Sequence, residues 1–218
     1  AGDFCRRFQP HDVRTLLDVF NDTRLAVWAG QPDAFFDEAR IDMDGTLVPT
    51  TGECKAGIDI SYKGDWSYHP LILTLANTSE VLSVVNRSGN RPSHEGCPAE
   101  VDRALIVCLR GGVRRVLLRG DTDFTQTKHL DRWSEDERVR FIFGADCTPT
   151  LHIVADDLPK NTWKTLRRPA RYRVKTQPRA RPDKIKPQIV IEREFKNIRL
   201  VGEEVAEFDY RPVACKKT

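Results

Sequence analysis

The sequence contains no long apolar run, no signal-peptide core and no closely spaced cysteine pair. A membrane-spanning helix needs about 20 consecutive apolar residues, and no stretch of the 218-residue chain approaches that length. The N-terminus, AGDFCRRFQPHDV, has no apolar segment of the secretory type and does not begin with Met. These absences predict a soluble, cytoplasmic protein, and they predict that the natural chain starts upstream.

The few cysteines are scattered and include no C-x-x-C pair. That spacing argues against a structural zinc site and against a disulfide framework. Reduced and mostly buried thiols are therefore expected at Cys5, Cys54, Cys97, Cys108, Cys147 and Cys215.

Charge is unevenly distributed along a chain that is otherwise of globular composition, at 39% hydrophobic and 31% charged residues. The segment Lys164–Arg199 carries 13 Lys and Arg against three acids, so its net charge of +10 leaves −7 for the rest of a chain whose total is +3. With Trp163, Tyr172 and Phe195 interleaved, this basic segment suits contact with a polyanion backbone and some base stacking. A solvated loop without a partner explains the charge equally well.

The N-terminal part, residues 1–38, reads as helical. Val13, Leu16, Leu17 and Phe20 recur at helical spacing, and this apolar stripe is interpreted as core. The sequence Gly30-Gln31-Pro32 ends the helix, and a short second helix is expected over 34–38.

Residues 39–148 alternate between strand-like and helical patterns. Three strands joined by short connections predict an antiparallel meander, and two further strands each follow a helix. The order β-β-β-α-β-α-β implies a mixed α/β sheet with helices packed on it. The predicted strands are 41–48, 69–76, 81–86, 113–118 and 139–143, and the predicted helices are 98–110 and 127–138.

Residues 149–218 form a third, basic and strand-rich segment. A short helix is expected over 154–158, followed by strands over 188–191, 198–201 and 205–210. The sequence ends within this strand-like pattern, which predicts that the natural chain continues.

The most informative pentapeptide is Asp42-Met43-Asp44-Gly45-Thr46. By itself, D-x-D-G-T after a strand resembles the first motif of haloacid-dehalogenase-type phosphatases, in which Asp42 attacks phosphate, Asp44 serves as acid and base, and Mg²⁺ is bound. The segment 120–123 then resembles the late acidic motif. Against this alternative, residues 36–41 are polar where that fold needs a buried parallel strand, a meander follows Asp44, and the Ser/Thr and Lys motifs are missing.

A second interpretation uses two separated aspartates. Asp44 lies on the first strand of the meander, and Asp121 follows the strand after the helix. Adjacent strands of one sheet bring such residues together, as in a ribonuclease-H-like nuclease core. Two carboxylates at one sheet edge suit Mg²⁺ or Mn²⁺, which also take water and phosphate oxygens as ligands. Asp42 and Asp123 are the substitutes if the register differs.

Four segments carry a resemblance to a known family: IDMDGTLVPTTGECKAGIDISYKGDWSYHPLILTLANT, VLSVVNRSGNRPSHEG, VLLRGDTDFTQTKHLDRW and EREFKNIRL. Together they are similar to bacterial insertion-sequence transposases of the DDE class. The resemblance implies a ribonuclease-H-like domain, a divalent metal, and cutting of DNA at the element's ends by water followed by joining through the freed 3′-hydroxyl. It implies terminal inverted repeats and target DNA as partners, with a homo-oligomer in the synaptic complex.

By position, the first two family acids fall on Asp44 and Asp121. The third family acid, a Glu on a later helix, has no match among Glu192, Glu194, Glu203, Glu204 and Glu207. This departure predicts an incomplete metal site that is inert alone, and it leaves a non-catalytic DNA-binding remnant as a further alternative. Candidate DNA-binding residues are Lys63, Arg87, Arg91, Arg119, Lys175, Arg179 and Arg181.

Overall fold

A computed structural model describes Phe4 and residues 7–52, 54–166 and 203–210. The chain divides into two compact units, Ala1–Asp146 with Arg211–Thr218, and Cys147–Tyr210. The predicted boundaries at residues 38/39 and 148/149 remain predictions.

The centre of the first unit is a five-stranded sheet in the order β6-β5-β1-β7-β8. Its first three strands in sequence form an antiparallel meander, β1-β5-β6, while β7 runs parallel to β1 and β8 runs parallel to β7. The predicted ribonuclease-H-like mixed sheet is confirmed. The strands are β1 (Ala39–Gly45), β5 (Leu71–Leu75), β6 (Glu80–Val85), β7 (Val116–Gly120) and β8 (Val139–Phe143).

Strand alternation decides which face of this sheet is buried. Ile41 and Met43 of β1 are buried, whereas Asp42 and Asp44 point to the opposite, more accessible face. The buried face packs against helix α2 (Cys97–Arg110), where the Cys97 thiol lies 3.5 Å from the Met43 sulfur. The chemistry-bearing carboxylates are therefore on the face opposite to α2.

Only some of the described cysteines are buried in this core. Cys97 and Cys108 are buried, and burial raises the pKa of each thiol to about 12. Cys54 and Cys147 are exposed, against the expectation of mostly buried thiols. Cys5 and Cys215 lie outside the described residues.

The helices broadly match their predicted positions. Residues 33–36 form a short 3₁₀ helix where a helix over 34–38 was predicted. The segment predicted as 127–138 is helical only to Trp133, because the chain turns there toward β8. Among the described residues of this unit, the long helices are α1 (Pro10–Trp28) and α2, and a shorter one is α3 (Thr127–Trp133). In the described parts of the chain, every helix is too short or too polar to cross a bilayer.

The prediction that the apolar stripe of α1 belongs to the core is wrong for most of its residues, although Leu17 is half-buried and Leu25, further along the helix, packs against the core. Val13, Leu16 and Phe20 are exposed. The helix instead docks through a different arc, where Arg14 forms a bidentate pair with Glu100 at 2.8 and 3.0 Å. Further along, Arg24 and Trp28 both contact the carboxylate of Glu80, at 2.8 and 3.2 Å. Long-range ion pairs and one buried indole determine the orientation of the helix.

Short elements complete the described chain. A three-stranded sheet in the order β2-β4-β3, with β2 (Val48–Pro49), β3 (Asp59–Ile60) and β4 (Trp66–Tyr68), occupies the connection from β1 to β5. The second unit contains α4 (Pro149–Asp156), which begins five residues before the predicted helix, and the pair β9 (Lys164–Thr165) and β10 (Glu204–Val205). The strand predicted over 205–210 is thus limited to 204–205, and those predicted over 188–191 and 198–201 lie outside the described residues.

Candidate active site

The register of β1 against β7 bears on the positions of the two predicted acids. Ile41 pairs with Leu118 and Asp42 with Arg119, a constant offset of 77 residues. The paired residues end there, and the same offset continued by two residues would align Asp44, within β1, with Asp121, the first residue after β7. Residues in register on neighbouring parallel strands are about 4.8 Å apart and project from the same face.

Each aspartate is positioned by its local backbone. Asp44 is still within the sheet, where it pairs with Ile72 of β5, and its side chain is exposed. Asp121 directly follows β7 in extended conformation and caps the 3₁₀ helix at 122–124, with its Oδ1 accepting the backbone N–H of Asp123 at 3.0 Å. The cap orients the Asp121 carboxylate and occupies only one of its oxygens.

Asp42 has a different role, which the sequence did not reveal. Its two carboxylate oxygens accept hydrogen bonds from Arg119, from Nε at 2.6 Å and from Nη2 at 2.8 Å. The hydrogen bonds to Asp42 raise the pKa of the Arg119 guanidinium. Asp42 and Arg119 are thus paired with each other. The sequence did contain one signal for this ion pair: Asp42 and Arg119 are 77 residues apart, the same separation as between Asp44 and Asp121.

Two glycines allow the strand ends to approach closely. A Cβ at Gly120 would lie 2.8 Å from Phe124 Cβ, and one at Gly144 would lie 2.8 Å from the backbone nitrogen of Thr122. Such distances are too short for any larger residue unless the backbone moves. The turn that carries Asp121 is therefore packed against the end of β8.

The His69 ring lies close to the C-terminal end of β1. Its Nε2 would lie 2.7 Å from a Cβ built on Gly45, the neighbour of Asp44. Its Nδ1 lies 2.7 Å from the carbonyl oxygen of Arg91, and because a carbonyl only accepts, Nδ1 is assigned the proton. His69 is buried, so it links the strand end to the loop over residues 91–93.

The predicted cationic residues fall into distinct environments. Arg87 is half-buried, and its guanidinium donates to the carbonyl oxygens of His69, Pro92, Ser93 and Glu95. Burial lowers its pKa. This arginine holds the loop together.

Arg91 is exposed and lines a cleft of about 400 Å³, in which Glu95 is its ion-pair partner at 3.2 Å. Lys63 is also exposed, with its Nζ 5.5 Å from the centre of the Tyr62 ring. Lys175, Arg179 and Arg181 lie outside the described residues.

Asp44 and Asp121 offer two carboxylate ligands of the kind that a hard divalent cation binds. Mg²⁺ is bound in proteins by one or two carboxylates together with water and phosphate oxygens, which Asp44 and Asp121 match. Among the residues that the structure describes, no group of three or more His, Cys, Asp or Glu gathers around one point. Glu192 and Glu194 are outside the described residues, and Glu203, Glu204 and Glu207 belong to the second unit.

The geometry does not support the phosphatase alternative. Asp42, its nucleophile, lies inside a strand and is engaged by Arg119. The next strand of the central sheet, β5, pairs antiparallel with β1, whereas the phosphatase fold requires βαβ units at this point.

Comparison with known proteins gives one family. A family model described as Transposase DDE domain group 1 matches residues 10–196, most of the chain. No curated protein matches. A similar solved structure is the cryo-EM structure of a piggyBac transposase synaptic complex with hairpin DNA, at 15% identity and a TM-score of 0.36, covering 61% of this chain and 29% of that one. The chain thus spans less than a third of that transposase, and by its match to the family model it belongs to the DDE transposases.

Proposed function

We propose that this chain carries the catalytic carboxylates of a transposase that cuts DNA at the ends of an insertion-sequence-type element and joins the freed 3′-hydroxyl to target DNA. The observation that supports the proposal is the parallel pairing of β1 with β7, which ends at Asp42 and Arg119, two residues before Asp44 and Asp121 in each segment. Both side chains are exposed at the same sheet edge, where a DNA backbone has access.

Asp44 and Asp121 would hold Mg²⁺ or Mn²⁺ between them. When bound, such ions activate the attacking oxygen and stabilise the leaving oxygen of a phosphodiester. The chain's own contribution is charge and position. Because Arg119 neutralises Asp42, the negative charge of this region resides on Asp44, Asp121 and the neighbouring Asp123, while the cap at residues 122–124 holds the Asp121 carboxylate in place.

DNA is the partner proposed for this site. The related piggyBac structure contains hairpin DNA. In this chain, exposed Lys63 and Arg91 offer cations for phosphate contacts, and the basic segment Lys164–Arg199 adds a net charge of +10. Pairing of two DNA ends also implies at least two subunits.

Removal of divalent metal is expected to abolish cleavage by the complete protein. With EDTA, a labelled duplex carrying the element's terminal repeat should remain intact, and Mg²⁺ or Mn²⁺ should restore cutting. DNA binding at low salt should persist in EDTA because it depends on cation–phosphate contacts. Cleavage in EDTA would contradict the proposal. Binding without cleavage in either metal would instead identify a non-catalytic DNA-binding protein.

Replacing Arg91 and Arg87 separately should distinguish a phosphate contact from a structural arginine. Arg91→Ala is expected to reduce the slope of log affinity against log salt by about one while the melting temperature stays unchanged. Arg87→Ala should lower the free energy of unfolding by roughly 2–3 kcal/mol, because four carbonyls lose a charged donor. Salt titrations of DNA binding and urea denaturation measure the two effects. An unchanged salt slope in Arg91→Ala would remove Arg91 from the DNA interface.

A further inference from the structure

The small sheet β2-β4-β3 continues the two-stranded ribbon that β1 and β5 form. Asp44 pairs with Ile72 in β1 and β5, and Val48 pairs with Tyr68 in β2 and β4. The second pair is four residues beyond the first on both strands, so no residue is inserted on either one. A backbone hydrogen bond of 3.1 Å joins the two strands midway between these pairs. The ladder therefore runs from β1 into β2 without a register shift.

Strand alternation then determines which side chains share the face of Asp44. Residues an even number of positions apart project from the same face of a strand, so Val48 and its partner Tyr68 lie on the side of the Asp44 carboxylate. The same rule adds Trp66, two residues before Tyr68, and its partner Ile60 on β3. These four residues, Val48, Ile60, Trp66 and Tyr68, are called the platform.

The opposite face of the small sheet is covered by the loop over residues 86–90. Ser67, between the two platform aromatics in the sequence, is fully buried. A Cβ at Gly89 would overlap the Ser67 hydroxyl oxygen, and the Asn90 amide donates to the Asp59 carboxylate at 2.6 Å. The small sheet is thus anchored through the face that does not carry the platform.

The platform combines aromatic rings with exposed aliphatic side chains. Val48 and Ile60, on the two outer strands, are 45% and 49% exposed, and Trp66 and Tyr68 on the central strand are partly exposed. The Tyr68 hydroxyl donates to the carbonyl oxygen of Ala56 at 3.0 Å, which fixes the ring. Aromatic rings held on a sheet face suit the stacking of unpaired bases, because every base has a π-face.

Cations border the platform on two sides. Lys63 is exposed at the tip of the β3-β4 hairpin, next to Tyr62, which is 80% exposed. Arg91, the ion-pair partner of Glu95, lines one cleft together with Tyr68. Such cations contact the phosphates of a strand whose bases stack on the rings. Aromatic rings between two cations favour a nucleic-acid strand as the occupant of this face.

We infer that the platform binds unpaired bases of the DNA strand that flanks the cleaved bond, an inference that rests on the proposed function of Asp44. Tyr68 is level with a position four residues beyond Asp44, and Trp66 is two residues further, which gives about 13 and 20 Å at 3.3 Å per residue. At 3.4 Å per nucleotide, these distances correspond to about four to six nucleotides. One continuous ribbon then holds both the reacting phosphate and the flanking bases.

Binding of a labelled oligothymidylate by the 218-residue chain in EDTA tests the stacking without any cleavage. The wild type is expected to bind, and Trp66→Ala should lower the affinity about tenfold, the usual effect of losing one stacked base. The slope of log affinity against log salt should stay unchanged in Trp66→Ala, since no cation is lost. Lys63→Ala should instead reduce that slope by about 0.7. Fluorescence anisotropy at several salt concentrations measures both effects.

Two matched controls separate stacking from folding. Trp66→Phe keeps an aromatic ring at the same position and should retain most of the affinity. Ile60→Glu places a carboxylate on the platform at an exposed position and should weaken binding, whereas Val27→Glu adds the same charge on α1, where Val27 is 60% exposed, and should not. Circular dichroism and melting temperature accompany each variant. Wild-type affinity in both Trp66→Ala and Ile60→Glu, or an equal loss in Trp66→Phe or Val27→Glu, would overturn the inference.

Photocrosslinking with the complete protein tests where the strand lies. End-containing DNA with unpaired flanking bases and 5-iodouracil about four to six nucleotides from the cleavage position is expected to crosslink to the peptide that contains Trp66 and Tyr68. Crosslinks that avoid this peptide would overturn the placement of the flank. Failure of the proposed function would show separately, as full cleavage by Asp44→Asn, and would leave the oligothymidylate result in EDTA unchanged.

Discussion

Asp44→Asn or Asp121→Asn in the complete transposase is expected to lower DNA cleavage and strand transfer by about 10³-fold or more. A bound divalent ion contributes several kcal/mol of charge stabilisation to the transition state, and every 1.36 kcal/mol is a factor of ten in rate. Asparagine keeps the shape of the side chain but removes the anionic ligand. Single-turnover cleavage of end-containing DNA in saturating Mg²⁺ measures the loss.

The fold and the affinity for DNA should be unchanged in both variants. Both carboxylates are exposed, and neither fills the core. In Asp121→Asn the amide oxygen still accepts the backbone N–H of Asp123, so the 3₁₀ cap persists. Thermal unfolding and DNA binding at low salt therefore accompany each kinetic measurement. Full cleavage by either variant would remove that residue from the site.

Two neighbouring aspartates provide matched controls for the register. Asp123→Asn changes the same charge beside Asp121, yet the cap uses the backbone of Asp123 and not its carboxylate, so cleavage should stay near wild type. Asp42→Asn deprives Arg119 of an ion pair in which both side chains are about 40% exposed, which costs at most about 1 kcal/mol. Loss of cleavage in Asp42→Asn but not in Asp44→Asn would show that the register is wrong.

The sequence predicted the central sheet because its strands are long enough to show their period. Strand β1 alternates buried and accessible residues along its length, and the Gly111-Gly112 pair ends the α2 pattern. Once a meander is followed by a helix and a buried strand, connection rules make β7 run parallel to β6 and β1. The parallel pairing of β7 with β1 agrees with that expectation, and the proximity of Asp44 and Asp121 stays a prediction.

The environment of α1 could not be predicted in the same way. A helical pattern reveals that an apolar face exists, but it does not say what covers that face. The buried arc is instead determined by Arg14 and Arg24, whose partners Glu100 and Glu80 are 86 and 56 residues away. Such pairings leave no local periodicity. The two- and three-residue strands β2, β3 and β4 were missed because they are too short for the two-residue strand pattern to recur.

Glu100→Ala is expected to lower the free energy of unfolding by about 3–5 kcal/mol, the cost of breaking a buried ion pair. Glu100 is buried and accepts hydrogen bonds from Arg14, from Arg103 at 2.6 Å and from the Ser83 hydroxyl at 2.6 Å. Its removal leaves a buried hydroxyl and a partly buried guanidinium without their acceptor. Because Arg14 anchors α1, the helix should lose its docking.

Urea denaturation at pH 7 measures that loss, and its pH dependence identifies the cause. Burial by itself raises the pKa of Glu100, but the hydrogen bonds from Arg14 and Ser83 outweigh burial and hold the pKa below the ordinary value of 4.5. A lowered carboxyl pKa stabilises the fold above that value, and the stabilisation is lost as pH falls through the folded-state pKa. Glu100→Gln should therefore weaken the acid sensitivity of the wild type, while Glu80, whose pKa is also lowered, retains part of it.

Glu95→Ala is the control, because it removes a solvent-accessible carboxylate close to Glu100 in the sequence. Its ion pair with Arg91 joins side chains that are 43% and 54% exposed, so its loss should cost no more than about 1 kcal/mol. If Glu100→Ala cost as little as Glu95→Ala, the carboxylate would not be the anchor of α1. The docking of that helix would then rest on Trp28 and on the pairing of Arg24 with Glu80.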